Sequence, residues 1–380
     1  MFLFEYFLNV MVYLAFLYTE DGSVIHGSGF GAETMHAGEL VFTTSMNGYP
    51  ESISDPSYRG QMLLFTHPLI GNYGVPRITK DKYGVIRNFE SEKPNVEGVV
   101  LGELNGGIKY SKHESLSEWL RRSNVPGISI PDTRAIVKNI RLNGVVKAVI
   151  ANGSFGIEEA KNMLKRFSYS KVNYAAYTAP KKVAVHGSGS NRIVIIDFGV
   201  KHGILRSMEG FDAKIIRVPY SYGSEKIMGM NPDGIILSNG PGDPNTLSKG
   251  FDLSGIIDSG LPLLGICLGH QLVAMHFRGS VEKMKYGHRA INKGIYDVIE
   301  RRASITTHNH GYAVSRKPLN SELWFYSLDD RTIEGLIYPD KNILSVQFHP
   351  EGGPGTVDAS YVFRRFMDMV KAWKARKAIK

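Results

Sequence analysis

The chain has 380 residues, of which 43% are hydrophobic and 21% are charged. At about 150 residues per domain, this length suggests two domains, and the composition excludes collagen-like and wholly disordered chains. The single cysteine, Cys267, excludes an intrachain disulfide and a CxxC zinc site. The net charge of +9 includes an uncompensated basic tail within residues 371–380. Such a tail is typical of a solvated chain end, so we expect no nucleic-acid partner.

Residues 1–17 form the most apolar stretch of the chain. They lack the cationic start and the cleavage site of a signal peptide, and Glu5 and Asn9 interrupt a run shorter than the roughly 20 residues of a membrane span. We interpret residues 1–10 as an extension ahead of a β-hairpin that begins at Met11 and turns at Asp21-Gly22. This interpretation predicts no membrane partner and a cytoplasmic location.

The first half of the chain mixes short strands with two predicted helices, at residues 116–122 and 134–142. Asp132 is a candidate N-cap for the second helix, because its carboxylate can accept from the first free backbone N–H groups. Residues 180–192 combine Pro, Lys and alternating Gly and Ser, which predicts a linker. The pattern therefore divides the chain into a domain at 11–179 and another at 193–380.

The second half alternates short apolar runs with helical stretches. Continuous apolar strands separated by helices predict a parallel sheet that is covered on both faces. The predicted strands are residues 193–197, 213–218, 234–238 and 261–266. The fold class that we predict is α/β, with an N-terminal mixed α/β domain and a C-terminal, doubly wound, mostly parallel sheet.

The segment Gly265-Ile266-Cys267-Leu268-Gly269 carries the strongest chemical signal. A nucleophile between glycines two residues away on each side, at a strand-to-helix turn, is the nucleophile elbow. Bulky residues at the glycine positions would clash in so sharp a turn, and the helix N-terminus favours a thiolate. An isolated cysteine is more commonly a buried structural residue, but the flanking glycines favour a nucleophile here.

A thiol nucleophile needs a base, and the base needs a group that orients it. His349 and Glu351 supply both after a predicted strand, and we expect one imidazole nitrogen to contact Glu351 and the other to face Cys267. The backbone N–H of Leu268 is a candidate oxyanion donor. A second donor is expected from the loop at residues 238–244, which follows a strand.

Three motifs in this order, SNGPGDP, GICLGHQ and HPE, resemble the class I, triad-type glutamine amidotransferase domain over about residues 191–370. The stretches at 43–51, 54–58, 132–134 and 197–201 are similar to the small-subunit family of carbamoyl-phosphate synthase. The resemblance covers nearly the whole chain from Met11, and it implies a flavodoxin-like sheet in the second domain.

The resemblance implies a glutaminase that forms a glutamyl thioester at Cys267, with His349 and Glu351 completing the triad. It also implies a set of glutamine contacts: Ser45, Gly240, Gly242, Leu268, Gln271, Asn309, Gly311 and Tyr312. No cofactor is implied in this chain, since ATP and magnesium belong to a large synthase subunit that would take up the ammonia. The product would be carbamoyl phosphate for pyrimidine and arginine synthesis.

The segment THNHGY, which contains Asn309, predicts a loop between strands. Its two histidines and His288 suggest a metal site, but no carboxylate lies nearby in the sequence and there is no second cysteine. We therefore predict no metal and assign His310 to ordering of the loop.

Three other functions remain open at this point. A free-standing Cys-dependent hydrolase would use the same elbow but leaves the first 180 residues unexplained. A non-catalytic assembly subunit conflicts with the intact Cys267, His349 and Glu351. The glutaminase subunit of another synthase, such as anthranilate synthase, generally lacks this N-terminal domain.

Overall fold

The computed structural model describes residues 14–106 and 113–379. These residues form two compact units. The barrel unit comprises the described residues up to Met46 together with Gly60–Arg77 and Val96–Phe167, and the sheet unit comprises Asn47–Arg59, Ile78–Asn95 and the chain from Ser168 onwards. The predicted extension at residues 1–10 and the predicted start of the hairpin at Met11 lie outside the described residues.

The elements alternate along both units. The strands are β1 (Leu14–Thr19), β2 (Val24–Gly31), β3 (Met35–Thr43), β4 (Gln61–Phe65), β5 (Gly98–Leu101), β6 (Pro126–Ser129), β7 (Val146–Asn152), β8 (Ala184–His186), β9 (Asn191–Asp197), β10 (Ala213–Pro219), β11 (Gly234–Leu237), β12 (Leu263–Ile266), β13 (Ser280–Asp297), β14 (Arg302–Arg316), β15 (Glu322–Ser327), β16 (Ile333–Tyr338) and β17 (Ile343–Val346). The helices are α1 (Tyr49–Ser54), α2 (Leu116–Arg122), α3 (Thr133–Asn143), α4 (Ile157–Arg166), α5 (Ala175–Thr178), α6 (His202–Glu209), α7 (Ser224–Met228), α8 (Pro244–Ser248), α9 (Ser254–Asp258), α10 (Leu268–His276) and α11 (Tyr361–Ile379). Within these described ranges, no helix combines the length and the apolar character that crossing a bilayer requires.

The barrel unit is a closed barrel with the strand order β1-β2-β6-β5-β4-β3-β7. The predicted hairpin is confirmed, because β1 pairs with β2 in antiparallel register and the Asp21 carboxylate accepts from the Thr19 hydroxyl and the Ser23 N–H. The two predicted helices are confirmed as α2 and α3. Asp132 caps α3 by accepting from the Ala135 N–H at 2.9 Å.

The sheet unit contains one ten-stranded sheet with the order β14-β13-β15-β16-β17-β12-β11-β9-β10-β8. Its five central strands, β17, β12, β11, β9 and β10, are parallel, as the continuous apolar runs predicted. Residues Ile193–Asp197 and Gly234–Leu237 are buried throughout, which is expected of strands covered on both faces. The strands β13 to β16 extend the sheet in antiparallel register.

The two units do not follow the predicted division at residues 180–192. Residues 47–59, 78–95 and 168–179 belong to the sheet unit, although they precede the predicted linker. The linker prediction is itself wrong in part, since β8 pairs with β10. A Cβ on Gly187 or Gly189 would lie 2.6 or 2.2 Å from backbone atoms of Ala213, so these glycines allow two backbone segments to approach closely and do not serve as a flexible linker.

Candidate active site

The predicted catalytic residues meet at the carboxyl ends of adjacent parallel strands. Cys267 follows β12, His349 lies just beyond β17, and the loop at 238–244 follows β11. The next strand, β9, leads to Lys201. Crevices at the carboxyl ends of such strands are the usual ligand sites of open α/β sheets.

Cys267 occupies the elbow between β12 and α10 with φ 53° and ψ −101°. This backbone conformation is strained for a residue with a side chain. Its N–H donates to the Val346 carbonyl at 2.8 Å. A Cβ on Gly265 would lie 2.8 Å from the Gly269 backbone, and one on Gly269 would lie 2.3 Å from the Leu237 carbonyl oxygen. The predicted reason for both glycines, steric crowding in the turn, is therefore confirmed.

His349 and Glu351 form the predicted hydrogen bond, with the Nδ1–H of His349 donating to Oε1 at 2.6 Å, and both side chains are fully buried. Burial opposes charge on both groups. The Glu351 carboxylate nevertheless raises the pKa of His349 to about 10, and His349 and Lys201 lower the pKa of Glu351. Within the described chain, the buried Nε2 of His349 makes no hydrogen bond, which leaves it for the neighbouring thiol.

Lys201 is a buried cation that the sequence analysis did not select as a site residue. Its Nζ lies 3.4 Å from Oε1 of Glu351 and donates to the Gly352 carbonyl at 3.0 Å. Burial opposes its charge, while Glu351 and Glu90 raise its pKa. The one signal in the sequence is its place directly after a buried strand and ahead of α6. Lys201 therefore adds a second positive charge beside Glu351, which His349 already contacts, and offsets the cost of burying this carboxylate.

The prediction of a loop around Asn309 is wrong, because this residue lies within β14 opposite Arg289. The polar alternation of THNHGY resembles a loop, but the polar side chains face the interior. The Asn309 carbonyl accepts from the Cys267 thiol at 3.8 Å, and its amide donates to the Asp55 carboxylate at 2.9 Å. Gly311 and Tyr312 follow on the same strand.

Gln271 lies one turn along α10 from the nucleophile and is almost fully buried. Its amide donates to the Tyr312 carbonyl at 2.9 Å and to Oε1 of Gln347 at 3.0 Å. The Gln347 amide in turn donates to the Cys267 sulfur at 3.6 Å. Gln347 is a further residue that the sequence analysis missed, because a glutamine at the end of a strand carries no distinctive pattern.

The loop at residues 238–244 lies beside the start of α10. A Cβ on Gly240 would lie 2.8 Å from Phe198 and 3.0 Å from the Leu268 side chain, so the close approach requires glycine. The first N–H groups of a helix, including that of Leu268, have no intrahelical acceptor. Gly242 adopts φ 102°, and its N–H donates to the Tyr169 hydroxyl at 3.1 Å, which makes it a structural contact in this geometry.

Ser45 belongs to the barrel unit. The hydroxyl groups of Ser45 and Thr43 share a hydrogen bond of 2.8 Å. The Ser45 backbone N–H also donates to the Thr43 hydroxyl oxygen at 3.2 Å. Its contact with glutamine stays a prediction.

The prediction of no metal is not supported by the fold, because a carboxylate that is distant in the sequence lies beside the three histidines. Glu334 on β16 lies against His288, His308 and His310, and one ligand atom from each of the four lies within 4.8 Å of the others. Among the described residues, this buried group is the one set of at least three His, Cys, Asp or Glu side chains with spacing suited to a metal ion.

The sheet unit falls in a known class, since residues 194–369 match the family model of class-I glutamine amidotransferases. Residues 17–150 match that of the carbamoyl-phosphate synthase small chain, CPSase domain. The chain belongs to the family of carbamoyl phosphate synthase small chains and is a glutamine-hydrolysing enzyme subunit.

Three relatives, each a carbamoyl phosphate synthase small chain, illustrate the extent of the match. The protein of Sulfurisphaera tokodaii is 48% identical over 363 residues, which cover 94% of this chain and 97% of its own. The protein of Sulfolobus acidocaldarius is 47% identical over a match that covers 93% of this chain and 96% of its own. The protein of Saccharolobus solfataricus is 45% identical over a match that covers 93% of this chain and 97% of its own.

Proposed function

We propose that Cys267, His349 and Glu351 are the catalytic triad that hydrolyses glutamine to glutamate and ammonia. The observation that carries this proposal is the buried 2.6 Å hydrogen bond from His349 to Glu351, which leaves Nε2 for a thiol on a strained elbow. Such an arrangement of nucleophile, base and orienting group supports covalent catalysis.

The first half of the reaction forms the acyl-enzyme. His349 takes the thiol proton at Nε2 to form a thiolate–imidazolium pair, which the raised pKa of His349 favours, and the sulfur attacks the carboxamide carbon of glutamine. The oxyanion of the tetrahedral intermediate is stabilised by the Leu268 N–H and by the loop that contains Gly240. His349 then gives its proton to the departing nitrogen, so that the C–N bond breaks and ammonia leaves a glutamyl thioester.

The second half releases glutamate. His349 deprotonates a water molecule, which attacks the thioester carbon, and the sulfur leaves as thiolate and regains its proton. Glu351 stabilises the imidazolium in both halves, and Lys201 keeps Glu351 ionised in a dry interior. We assign glutamine recognition to Ser45, Gln271, Asn309, Gly311 and Tyr312, with Gly240, Gly242 and Leu268 shaping the loop around the reacting carbon.

The ammonia is assigned to a carbamoyl phosphate synthase large subunit, which holds ATP and magnesium and makes carbamoyl phosphate. Ammonium is not a nucleophile, so transfer of neutral ammonia within a complex prevents its loss by protonation in water. This proposal includes a cytoplasmic location. Docking is expected to speed glutamine hydrolysis by ordering the site.

The test compares two activities of one complex. Cys267→Ser, assembled with the large subunit, is expected to lose glutamine-dependent synthesis while ammonia-dependent synthesis continues, because a hydroxyl is a far weaker nucleophile than an activated thiol. The ammonia reaction of the same preparation is the control for folding and assembly. Equal loss of both activities would contradict the proposal. Glutamine turnover by the wild-type chain alone, unchanged when the large subunit is added, would contradict the coupling.

A further inference from the structure

Three imidazoles and one carboxylate converge inside the antiparallel part of the sheet unit. His288 on β13 is paired with His310 on β14, and His308 lies two residues away on the same face of that strand. Glu334 enters from β16. All four side chains are at most 4% exposed.

The distances between these groups are those of ligands around a shared centre. His308 Nδ1 lies 3.3 Å from His310 Nε2 and 3.5 Å from Glu334 Oε2. Glu334 Oε1 lies 3.4 Å from His288 Nδ1 and 3.8 Å from His310 Nε2. Hydrogen bonds of this type are normally about 2.7–3.2 Å long. The edges of a tetrahedron with ligand bonds of about 2.0–2.2 Å measure about 3.3–3.6 Å.

Two of the histidines have their outer nitrogen fixed by an acceptor. His288 Nε2 donates to the Asp330 carboxylate at 2.9 Å, and His310 Nδ1 donates to the Tyr312 carbonyl at 2.9 Å. Since carboxylates and carbonyls only accept, these outer nitrogens carry the proton of the neutral ring, and the inner nitrogens present lone pairs. Taking the described part of the chain alone, neither His288 Nδ1 nor Glu334 Oε2 has a hydrogen-bond partner.

The third histidine is oriented in the same way. His308 Nε2 lies 2.8 Å from the Thr306 hydroxyl, which donates its single proton to the Lys293 carbonyl at 3.2 Å. The Thr306 oxygen therefore accepts from His308 Nε2–H, and Nδ1 turns its lone pair inward. Outer partners of this kind, namely a carboxylate, a carbonyl and a hydroxyl, are the typical supports of metal-binding histidines.

We propose that His288, His308, His310 and Glu334 bind one divalent transition-metal ion, for which zinc has the best-matched chemistry. Three inward lone pairs and a buried carboxylate form an electron-rich group that a bound cation would stabilise. Nitrogen and oxygen ligand atoms that lie within 4.8 Å of one another suit zinc, and four protein ligands close the site, as in structural zinc centres.

The metal would act on the active site through the backbone of β14. His308 and His310 flank Asn309, whose carbonyl accepts from the Cys267 thiol. His310 also shares the Tyr312 carbonyl with Gln271. A metal bound to both histidines fixes the strand segment beside the nucleophile, so its role is to position residues and not to touch the substrate.

The experiment uses the full-length chain. It compares wild type with the double variant His308→Gln, Glu334→Gln and with the control His276→Gln. Each protein is freed of metal with a chelator, incubated with zinc or cobalt, and desalted. His276 is an exposed histidine on α10, so its replacement matches the chemical change away from the cluster. Wild type and control are expected to retain about one metal ion per chain and the double variant less than about a tenth of that. The cobalt forms of wild type and control are expected to show the intense visible absorption of tetrahedral coordination.

Three outcomes would overturn the proposal. They are a wild-type chain that keeps no metal after desalting, a double variant that keeps as much as wild type, and a cobalt spectrum of octahedral type. Where the double variant fails to fold, the stoichiometry and the cobalt spectrum of the wild-type chain decide alone. A fall in thermal stability when wild type, but not the double variant, is treated with the chelator would support binding of the metal to the folded chain.

Discussion

Replacing the buried cation with a neutral side chain of similar length, Lys201→Met, is expected to destabilise the sheet unit strongly. The substitution keeps most of the apolar stem and removes the charge that faces Glu351 at 3.4 Å. It also removes the donor to the Gly352 carbonyl. Three acidic neighbours raise the pKa of Lys201, and two of them, Glu351 and Glu90, have fully buried side chains. Without Lys201 each would keep one ion-pair partner, His349 for Glu351 and Arg206 for Glu90.

The size of the effect follows from the geometry. At an effective dielectric constant of about 20, unit charges 3.4 Å apart attract by about 5 kcal/mol. Removal of one partner from a buried pair typically costs about 3–5 kcal/mol, because the remaining charge stays desolvated. We expect the free energy of unfolding to fall by about 3–5 kcal/mol, which is a large part of the roughly 5–15 kcal/mol that keeps a domain folded.

The assay is denaturant unfolding of the full chain. Where the slope of the unfolding free energy against denaturant concentration is the same for both proteins, the shift in midpoint reports the change in stability. Lys226→Met is the matched control, because Lys226 is exposed and lies 3.6 Å from the Tyr222 ring centre, and it should change stability by less than about 1 kcal/mol. Combining Lys201→Met with Glu351→Gln should cost less than the sum of the single changes, by about 1–3 kcal/mol. A loss below about 1 kcal/mol for Lys201→Met, or strict additivity, would refute the reasoning.

Three further changes follow from other features. Glu351→Gln should retain more glutaminase activity than His349→Asn in steady-state assays, because losing the base costs orders of magnitude and losing the orienting group usually costs less. Gly269→Ala should lower the free energy of unfolding by about 1–3 kcal/mol, since its Cβ would lie 2.3 Å from a carbonyl of β11. Burial lowers the pKa of His270 to about 3, so the unfolded chain takes up this proton near pH 6.5 and the folded chain does not. Stability should therefore fall as the pH drops from about 6.5 towards 3, by up to about 1.4 kcal/mol per unit, and His270→Gln should lessen that slope in unfolding measured across pH.

Each of these expectations has a clear contrary result. A reversed order of the two triad variants would mean that the base and the orienting group are misassigned. For the elbow, the control is Gly210→Ala, whose added Cβ would meet nothing within 4 Å of the described atoms, and equal losses at both glycines would refute the steric argument. An unchanged acid slope in His270→Gln would mean that this histidine titrates alike in both states.

The sequence predicted correctly those elements whose structure depends on residues close to one another in the chain. Apolar runs located the central strands, and the Asp132 cap located the start of α3. The glycines around Cys267 predicted the elbow because steric crowding in a turn depends on adjacent residues. The same kind of inference could not find Lys201, whose partner Glu351 lies in the turn that follows a different strand, β17.

The predictions that were wrong have the same physical cause, which is contact between residues that are distant in the sequence. The polar segment around Asn309 resembled a loop because its side chains turn inward only when β13 pairs with β14. Glu334 was unconnected to the histidines in the sequence, since β16 brings it to them through tertiary structure. Residues 47–59 and 78–95 belong to the sheet unit because of their contacts, not because of their residue types. Composition therefore could not predict that they leave the first unit.

The strained backbone at Cys267 places reactivity and stability in opposition at one residue. A side chain at φ 53° and ψ −101° has a conformational cost that glycine would not have. A duplicated copy of this chain that was released from selection for catalysis would therefore gain stability by losing its thiol to glycine. The cysteine at this corner of the sheet is therefore explained by the chemistry that it supports and not by the stability of the fold.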